Sequence, residues 1–244
     1  KKKYKCCLIE DACHAFGSSY TINSSQIKIG SCAHSDIAVF SLHPLKTLTT
    51  GEGGIVCTNN KKIYEHLIML RSHGIEKDKN CHWKYNVILH GFNFRLSDIN
   101  CALGISQLKK INKFITKRKK IYQMYKNYFA QYKEVINIFE YKEHTKPCFH
   151  LVLARINFEK LRINKEQLLK ILVKKSILCQ YHYIPLYKFK IVKKNNLLKK
   201  YNFPNSINFE KNTLSLPIFY DLSDRQQEYV IKILKKIILD KIRN

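Results

Sequence analysis

Long apolar runs are absent from this sequence of 244 residues. No stretch approaches the ~18 consecutive apolar residues that a helix needs to cross a bilayer. The lysines at positions 1–3 resemble the start of a secretory signal, but Glu10 and Asp11 interrupt the apolar segment that follows them. We therefore expect a soluble, cytoplasmic protein with no membrane partner.

Cysteine pairs at metal-ligand spacing are also missing. Nine cysteines is an odd number, and no two of them have the two-residue spacing of a zinc knuckle or redox motif. The pair Cys81-His82 is half of a metal site, and nothing nearby in the sequence completes it. We expect free cysteines in a reducing cytosol and no metal.

Acidic residues are scarce, with 18 Asp and Glu against 44 Lys and Arg, which leaves a net charge of +26. Such a charge suggests a nucleic-acid partner. However, only seven of the basic residues are arginine, the side chain that favours bidentate phosphate and base recognition. Because the lysines are spread along the chain, solvated helix faces are the favoured interpretation. Nucleic-acid binding remains an alternative that depends on charge alone, and we expect none.

Methionine is rare, occurring only at Met69 and Met124, and the first residue is Lys1. We therefore expect the sequence to be a fragment or a processed product. A hydrophobic content of 45% is enough to bury a core, which excludes wholesale disorder. The length suits one large or two small domains.

Short apolar segments separated by polar turns predict an α/β layer in the first third of the chain. Such strands are typical of parallel sheets covered on both faces. The predicted segments are strands at 6–9, 37–41 and 54–57 and a helix at 61–72.

One long helix is predicted from Ser97, a good N-cap residue, towards Phe129. A helix of that length usually bridges two domains. Beyond it a second α/β unit is predicted, whose last helix opens with a capping box of Ser223 and Gln226. Its segments are strands at 149–156, 177–183 and 214–217 and helices at 165–175 and from 223.

Three segments of the first hundred residues carry chemical groups in an unusual arrangement. They read EDACHAFG at 10–17, FSLHPLKTLTTGEGG at 40–54 and GFNFRLSD at 91–98. The first places an acid at the end of a strand, where α/β sheets hold their ligands. The second places a lysine in a loop whose glycines permit close approach to a ligand.

Each segment also has a purely structural interpretation when it is taken singly. Asp11 can cap a turn and His14 can be a buried core histidine. Lys46 can be a solvated side chain in a glycine turn, and Asn93 can belong to a polar hinge before a helix.

Together and in this order, the three segments closely resemble the sugar aminotransferases that use pyridoxal phosphate (PLP), the DegT/DnrJ/EryC1/StrS family. The resemblance continues over nearly the whole chain, through LRSHGI at 70–75, ALGISQL at 102–108, HYIP at 182–185 and LSLP at 214–217. It is closest to the pseudaminic acid branch, as indicated by the RSHG sequence and by His14, where many relatives have glutamine.

The family implies an aspartate-aminotransferase-like α/β fold. In that fold a three-layer α/β/α large domain binds PLP and is followed by a small α+β domain. We expect the remainder of the large domain, truncated at its N-terminus, at 1–118, and the small C-terminal domain at 119–244.

The resemblance also implies roles for individual residues. Lys46 would bind PLP through its amine and carry protons as acid and base. Asp11 would keep the ring nitrogen protonated, His14 would lie against the ring, and Ser41 would donate to the phosphate. Asn93 would reach the cofactor phosphate of the neighbouring subunit, which places the active sites at the interface of a homodimer.

The segment of His182, Tyr183, Ile184 and Pro185 would close over the substrate. The implied reaction moves an amino group, from an amino-acid donor such as glutamate, to the C4 keto group of a UDP-linked 4-keto-6-deoxy-N-acetyl hexose. We expect Glu52 to be structural rather than catalytic.

The sequence departs from the family pattern at two residues, and it lacks one region that the family pattern includes. Leu42 stands where relatives usually have an aromatic residue, and Thr47 where proline or another residue is common. The region that should supply a Gly/Ser/Thr phosphate loop and an aromatic group over the ring is missing, so exposed sheet edges are expected. Two alternatives therefore stay open: another nucleotide-sugar substrate or amino donor, and an inactive truncated chain.

Overall fold

The computed structural model describes residues 3–194, 198 and 201–242, and the chain divides into two compact units. The first unit comprises Lys1–Ile115 and Lys142–His150, and the second comprises Thr116–Tyr141 and Leu151–Asn244. Both units combine strands and helices, which confirms the predicted α/β class.

Strands and helices alternate along the chain. The N-terminal part contains β1 (Ile9–Asp11), β2 (Ser19–Ile22), β3 (Ser25–Lys28), β4 (Ile37–Ser41), β5 (Gly54–Cys57), α1 (Lys61–Arg71), β6 (Ile75–Lys77), β7 (Tyr85–Val87), α2 (Asp98–Leu108) and α3 (Ile111–Phe129). The C-terminal part contains β8 (Ile136–Ile138), β9 (Thr145–Lys146), β10 (Val152–Ile156), α4 (Phe158–Leu161), α5 (Lys165–Lys174), α6 (Lys190–Lys194), α7 (Pro204–Asn212), β11 (Thr213–Leu216) and α8 (Asp224–Ile242). Single turns of 3₁₀ helix occur at Ala130–Tyr132 and Leu186–Lys188.

A three-stranded sheet with β4 at its centre organises the first unit. Strand β1 runs parallel to β4, with Asp11 opposite Val39. Strand β5 runs antiparallel to β4, with Ser41 opposite Gly54. The remaining strands of this unit form the sheet β3-β2-β9 and the hairpin β6-β7.

Local signals place several of these elements where the sequence predicts them. Strands β4 and β5 have the predicted bounds. The Ser97 side chain accepts a hydrogen bond from the Asn100 N–H, so the predicted N-cap of α2 is confirmed. The Ser223 hydroxyl accepts from the Gln226 N–H while the Gln226 side chain accepts from the Ser223 N–H, which confirms the predicted capping box.

The prediction of buried parallel strands was wrong in two respects. The first strand covers 9–11 rather than 6–9, and the side chain of Ile9 is 60% exposed. The reason is that β1 lies at an edge of its sheet in the described residues. In addition, β5 is antiparallel, so β1 and β4 form the parallel pair of this sheet.

The predicted long helix is divided into α2 and α3. The Lys109 N–H bonds to the Ile105 carbonyl four residues back, but the Lys110 N–H bonds to the Gln107 carbonyl three residues back. This change from i−4 to i−3 bonding tightens the turn and ends the first helix. Helix α2 has no buried residue in the described structure.

Two strands predicted for the second unit are shorter than expected. Phe149 has a φ of +54°, a left-handed conformation incompatible with a strand, so β10 begins only at Val152. The segment 177–183 makes a single bridge, in which Gln180 and Ser215 exchange both backbone hydrogen bonds. The ladder does not extend towards Leu178, because its partner there would be Pro217, which follows β11 and has no N–H to donate.

The second unit is built on the antiparallel sheet β11-β10-β8. Helices α3, α5 and α8 contribute apolar side chains to its core. The buried side chains of this core include Ile121, Tyr125, Phe129, Ile136, Val152, Ile156, Leu161, Leu168, Leu172, Leu214 and Leu234. The Lys117 and Lys120 ammonium groups bond to the Asp224 carboxylate and lower its pKa, with the Lys120 bond as the larger cause. These bonds link α3 to the first turn of α8.

The longest helices, α3 and α8, have 19 residues each, and both carry several lysines. Over residues 3–194, 198 and 201–242, no helix combines the length and the apolar character that a bilayer crossing requires.

Removal of one buried hydroxyl should weaken the second unit. Tyr125 is 0% exposed, and its hydroxyl donates to the Pro217 carbonyl at 3.1 Å. We expect Tyr125→Phe to lower the free energy of unfolding by about 1–2 kcal/mol, because a buried carbonyl loses its donor. Urea unfolding followed by circular dichroism measures this change. The matched control is Tyr128→Phe on the same helix, where the tyrosine is only half-buried; equal losses in the two variants would contradict the prediction.

Candidate active site

Asp11 lies at the carboxyl end of β1, where its carboxylate accepts a hydrogen bond from the Cys13 N–H at 3.1 Å. Hydrogen bonds from the Cys13 side chain and backbone hold the pKa of Asp11 below its ordinary value. The neighbouring His14 and Lys46 side chains act in the same direction. The carboxylate therefore stays charged, and the predicted residues Asp11, His14 and Lys46 are close enough to interact electrostatically.

Cys13 also belongs to this cluster, although no role for it was predicted from the sequence. Its thiol lies beside the Asp11 carboxylate and near the Ser41 backbone, and contacts the Val39 carbonyl at 3.9 Å. Burial raises the pKa of the Cys13 thiol, and so does Asp11. The thiol therefore remains protonated and can donate. The only local signal for this contact is the i, i+2 spacing from Asp11 to Cys13.

Lys46 lies half-buried in the loop that joins β4 to β5. The Leu42 N–H bonds to the Gly53 carbonyl at 2.9 Å, which closes the ends of this loop. Inside it, the Thr50 N–H bonds to the Leu42 carbonyl at 3.1 Å and the Lys46 N–H to the His43 carbonyl at 2.9 Å. The backbone of the lysine is thus fixed by a short turn inside a closed loop.

Thr50 holds the second half of the loop in place. It is 2% exposed, and its hydroxyl donates to the Glu52 carbonyl at 2.7 Å. The Asn100 side chain of α2 donates to the Thr50 carbonyl. Gly53 has a φ of +150°, and a Cβ there would lie 2.7 Å from the Thr50 hydroxyl. A Cβ at Gly104 would lie 2.8 Å from the Thr50 methyl group, so both glycines are needed for this packing.

Ser41 ends β4 at the start of the same loop. Its hydroxyl accepts a hydrogen bond from the His43 N–H at 3.4 Å. The His43 ring accepts from the Leu45 N–H at 3.2 Å and lies 3.8 Å from the Glu52 carboxylate. The Glu52 side chain is largely exposed. These bonds order the residues that precede Lys46.

His14 is held by residues that are far away in the sequence. Its ring centroid lies 4.4 Å from that of His150, with a tilt of 55° between the rings. The Cys148 thiol donates to the His14 carbonyl at 3.1 Å, and the Thr47 hydroxyl contacts the same sulfur at 3.6 Å. Neither Cys148 nor His150 could be predicted from the sequence, because nothing in the local pattern of residues 142–150 links them to His14.

Asn93 is exposed and lies between α1 and α2. It forms an antiparallel bridge with Ser72, and its side chain accepts from the Arg95 N–H at 3.3 Å. The His73 N–H bonds to the Phe92 carbonyl at 2.9 Å. These bonds tie Asn93 to the segment that follows α1.

The residues His182, Tyr183, Ile184 and Pro185 belong to the second unit. The His182 ring nitrogen Nδ1 lies 2.7 Å from the hydroxyl of Ser215, a buried residue of β11. The side chains of Tyr183 and Ile184 are exposed. Within the second unit, the predicted substrate segment is thus held to β11 through His182.

The chemistry available in the first unit follows from its donor set. A lysine amine can add to a carbonyl carbon, and a carboxylate kept in its charged form can hold a protonated ring nitrogen. Among the described residues, no group of three or more His, Cys, Asp or Glu side chains is arranged to hold a metal ion.

Comparisons with known proteins agree with this chemistry. A transaminase of Campylobacter jejuni, UDP-4-amino-4,6-dideoxy-N-acetyl-beta-L-altrosamine transaminase, is 38% identical over 99% of this chain and 61% of its own length. The Helicobacter pylori aminotransferase PseC, involved in the biosynthesis of pseudaminic acid, superposes with a TM-score of 0.87 at 29% identity, over 98% of this chain and 61% of PseC. Spr1654 of Streptococcus pneumoniae in its PLP form gives a TM-score of 0.81 at 25% identity, over 95% of this chain and 57% of Spr1654.

The chain therefore spans about three fifths of the length of these relatives. The family model matches far more of the chain itself, from residue 1 to residue 235. The resemblance noted in the three sequence segments is confirmed by this match, and the chain belongs to the DegT/DnrJ/EryC1/StrS aminotransferase family.

Proposed function

We propose that the protein is a PLP-dependent aminotransferase. In this proposal it transfers an amino group from glutamate to the C4 keto group of a UDP-linked 4-keto-6-deoxy-N-acetyl hexose, in pseudaminic acid biosynthesis. The observation that carries the proposal is the cluster of Asp11, His14 and Lys46 in the first unit. The choice of substrate is supported by the similarity to the Campylobacter transaminase and to the Helicobacter aminotransferase PseC.

The residues of this cluster fit PLP. Its pyridine nitrogen needs a charged carboxylate, and the pKa of Asp11 is lowered by the hydrogen bonds from Cys13. Its aldehyde needs an amine, which Lys46 supplies from a closed loop. Its phosphate needs donors, and Ser41 offers a hydroxyl at the end of β4, next to β1. When bound, PLP supplies an electron-poor ring that stabilises negative charge at the reacting carbon of the substrate.

Each residue of the first unit then has one task. Asp11 holds the proton at the ring nitrogen, and Ser41 binds a phosphate oxygen. His14 packs against the ring and keeps it in place. The Lys46 amine would hold the cofactor and would carry a proton to and from the substrate carbon.

The remaining predicted residues contribute to the proposed substrate site and dimer. The segment His182, Tyr183, Ile184 and Pro185 contacts the nucleotide sugar in this proposal, with the His182 ring oriented by Ser215 at 2.7 Å. Asn93 reaches the cofactor phosphate of a second subunit in a cytoplasmic homodimer. The net charge of +26 suits an anionic cofactor and an anionic nucleotide-sugar substrate.

Replacement of Lys46 should abolish covalent attachment of the cofactor. Sodium borohydride fixes a lysine-bound PLP to its lysine, so mass spectrometry of the reduced protein identifies the residue that carries it. We expect the peptide that contains Lys46 to be labelled, and Lys46→Ala to lose the label because its methyl side chain has no amine.

The matched control for this test is Lys61→Ala, which removes an exposed lysine of α1. Its label should equal that of the unsubstituted protein. A label that persists in Lys46→Ala would overturn the proposed role of this lysine.

Replacement of Asp11 should leave the cofactor attached but slow the reaction. In Asp11→Asn the amide cannot hold a proton at the ring nitrogen, so we expect amino transfer from glutamate to fall by roughly 100-fold or more, while borohydride labelling of Lys46 remains. Because hydrogen bonds from Cys13 lower the pKa of Asp11, its carboxylate should stay charged to a lower pH than that of an ordinary aspartate and lose its charge only below its own lowered pKa. Rates measured against pH test both statements.

Asp78→Asn is the matched control for Asp11, because Asp78 is an exposed aspartate of the same unit whose carboxylate also accepts backbone N–H bonds. It should leave the rate unchanged. An Asp11→Asn protein that keeps the full rate would contradict the assigned role.

The substrate can be identified by competition among keto sugars. Glutamate consumption should be fastest with the UDP-linked 4-keto-6-deoxy-N-acetyl hexose, by more than about tenfold over 3-keto sugars and over sugars on other nucleotides. A preference for one of those would support the alternative of another specificity within the family. If cofactor titration gives no spectral change while circular dichroism shows a folded protein, the alternative of an inactive chain is correct.

A further inference from the structure

The segment Lys142–His150, which we call the strap, belongs to the first unit although the residues on both sides of it belong to the second. Strand β9 within the strap pairs with β2, placing Thr145 opposite Tyr20. The His144 carbonyl accepts from the Thr21 N–H at 2.8 Å. The strap is therefore bound to the first unit by backbone hydrogen bonds along its middle.

Cys148, near the end of the strap, connects it to both loops of the proposed cofactor site. Its side chain is almost fully buried, with 2% exposed. Its N–H donates to the Ser18 hydroxyl at 2.9 Å, which fixes its backbone. Its thiol donates to the His14 carbonyl at 3.1 Å, and the Thr47 hydroxyl donates to its sulfur at 3.6 Å.

This arrangement uses both capacities of a thiol, as a weak donor and as a weak acceptor. The donor side holds the turn that follows Asp11, and the acceptor side holds the residue next to Lys46 in the β4–β5 loop. The strap adds the ring of His150, which lies against the ring of His14 with centroids 4.4 Å apart. One buried side chain therefore contacts both of the segments that carry the proposed cofactor ligands.

We propose that Cys148 is a positioning residue, which fixes the Lys46 loop against the His14 turn so that the lysine amine and the imidazole approach the same cofactor. The inference rests on the proposed function, because it assigns the purpose of this spacing to PLP binding. The thiol itself does not touch the cofactor in this proposal; it acts through Thr47 and through the His14 backbone.

Amide hydrogen exchange of the full chain, measured without cofactor, tests whether Cys148 orders the β4–β5 loop that carries Lys46. Cys148→Ala removes the acceptor for the Thr47 hydroxyl and the donor to the His14 carbonyl. We expect exchange in residues 43–50 to become about tenfold faster, with β10 of the second unit unchanged. In Cys148→Ser the hydroxyl can still donate and accept, although its C–O bond is shorter than the C–S bond of cysteine. This variant should therefore keep most of the protection of residues 43–50 from exchange.

The matched control is Cys32→Ala, which removes another buried thiol of the first unit whose sulfur contacts the Gly30 and Cys57 carbonyls instead. It should leave exchange in residues 43–50 unchanged. The proposal is overturned if Cys148→Ala has no effect there, or if Cys32→Ala accelerates these amides equally, since the effect would then be general loosening of the unit.

The affinity for PLP tests whether the contacts of Cys148 help to bind the cofactor. PLP should bind about fivefold to tenfold more weakly to Cys148→Ala than to the unsubstituted protein, with the affinity recovered in Cys148→Ser. Thr47→Val, which keeps the shape of the side chain but loses the donor, should weaken binding in the same direction. The double variant Thr47→Val with Cys148→Ala should weaken PLP binding by less than the product of the two single effects. The reason is that both substitutions remove the same contact, between the Thr47 hydroxyl and the Cys148 sulfur.

These readouts separate the two proposals. If the unsubstituted protein does not bind PLP, the proposed function fails, and the exchange data still decide whether Cys148 holds the loop. If the unsubstituted protein binds PLP and Cys148→Ala binds it equally well, the proposed function stands and the positioning role of Cys148 is wrong.

Discussion

The parallel pairing of β1 with β4 is the constraint on which the rest of the candidate site depends. Because side chains alternate between the two faces of a strand, the register that sets Asp11 opposite Val39 also fixes the face on which the carboxylate lies. The Ala12 N–H extends the ladder by bonding to the Val39 carbonyl at 2.8 Å. Two residues beyond Val39 the central strand ends at Ser41, where the Lys46 loop begins. A slip of one residue would turn Asp11 away from that loop.

The β4–β5 loop, which begins where β4 ends, fixes the position of the Lys46 backbone relative to Asp11. A lysine side chain is long and flexible, so its position is set by its backbone rather than by its own packing. The Leu42–Gly53 hydrogen bond closes the loop, and the buried Thr50 fills it. The short turn of His43 and Lys46 then presents the lysine from a rigid base. Rigid support of this kind is what a reacting group needs, since small errors in placement are costly in rate.

Most of what could be predicted from the sequence is local in origin. Strand β4 and strand β5 have their predicted bounds, because β-branched residues and a glycine-rich turn define them within a few positions. The caps at Ser97 and Ser223 follow from contacts with residues three positions later. The motif residues Asp11, His14 and Lys46 could be selected because their order matches a known family.

The features that could not be predicted depend on partners far away in the sequence. Whether Ile9 is buried depends on which elements cover an edge strand, and no local pattern contains that information. The Cys148 thiol meets the His14 carbonyl across 134 positions, and the strap that carries it has no motif of its own. The left-handed backbone at Phe149 is likewise unusual for a bulky residue and has no signal in the sequence.

Both units bury apolar side chains, and at the candidate site polar contacts add direction to this burial. In the second unit, large apolar side chains such as Tyr125, Phe129 and Leu172 are almost fully buried around a sheet. In the described part of the first unit, apolar side chains such as Phe40, Leu42 and Leu48 are also buried, beside polar ones such as Thr50 and Cys148, while helix α2 buries none. Apolar burial supplies free energy in proportion to the area buried, but it has no direction. Burial of Leu42 and Leu48 therefore anchors the β4–β5 loop, and the directional hydrogen bonds of Thr50 and Cys148 add the order that the loops carrying Asp11 and Lys46 need.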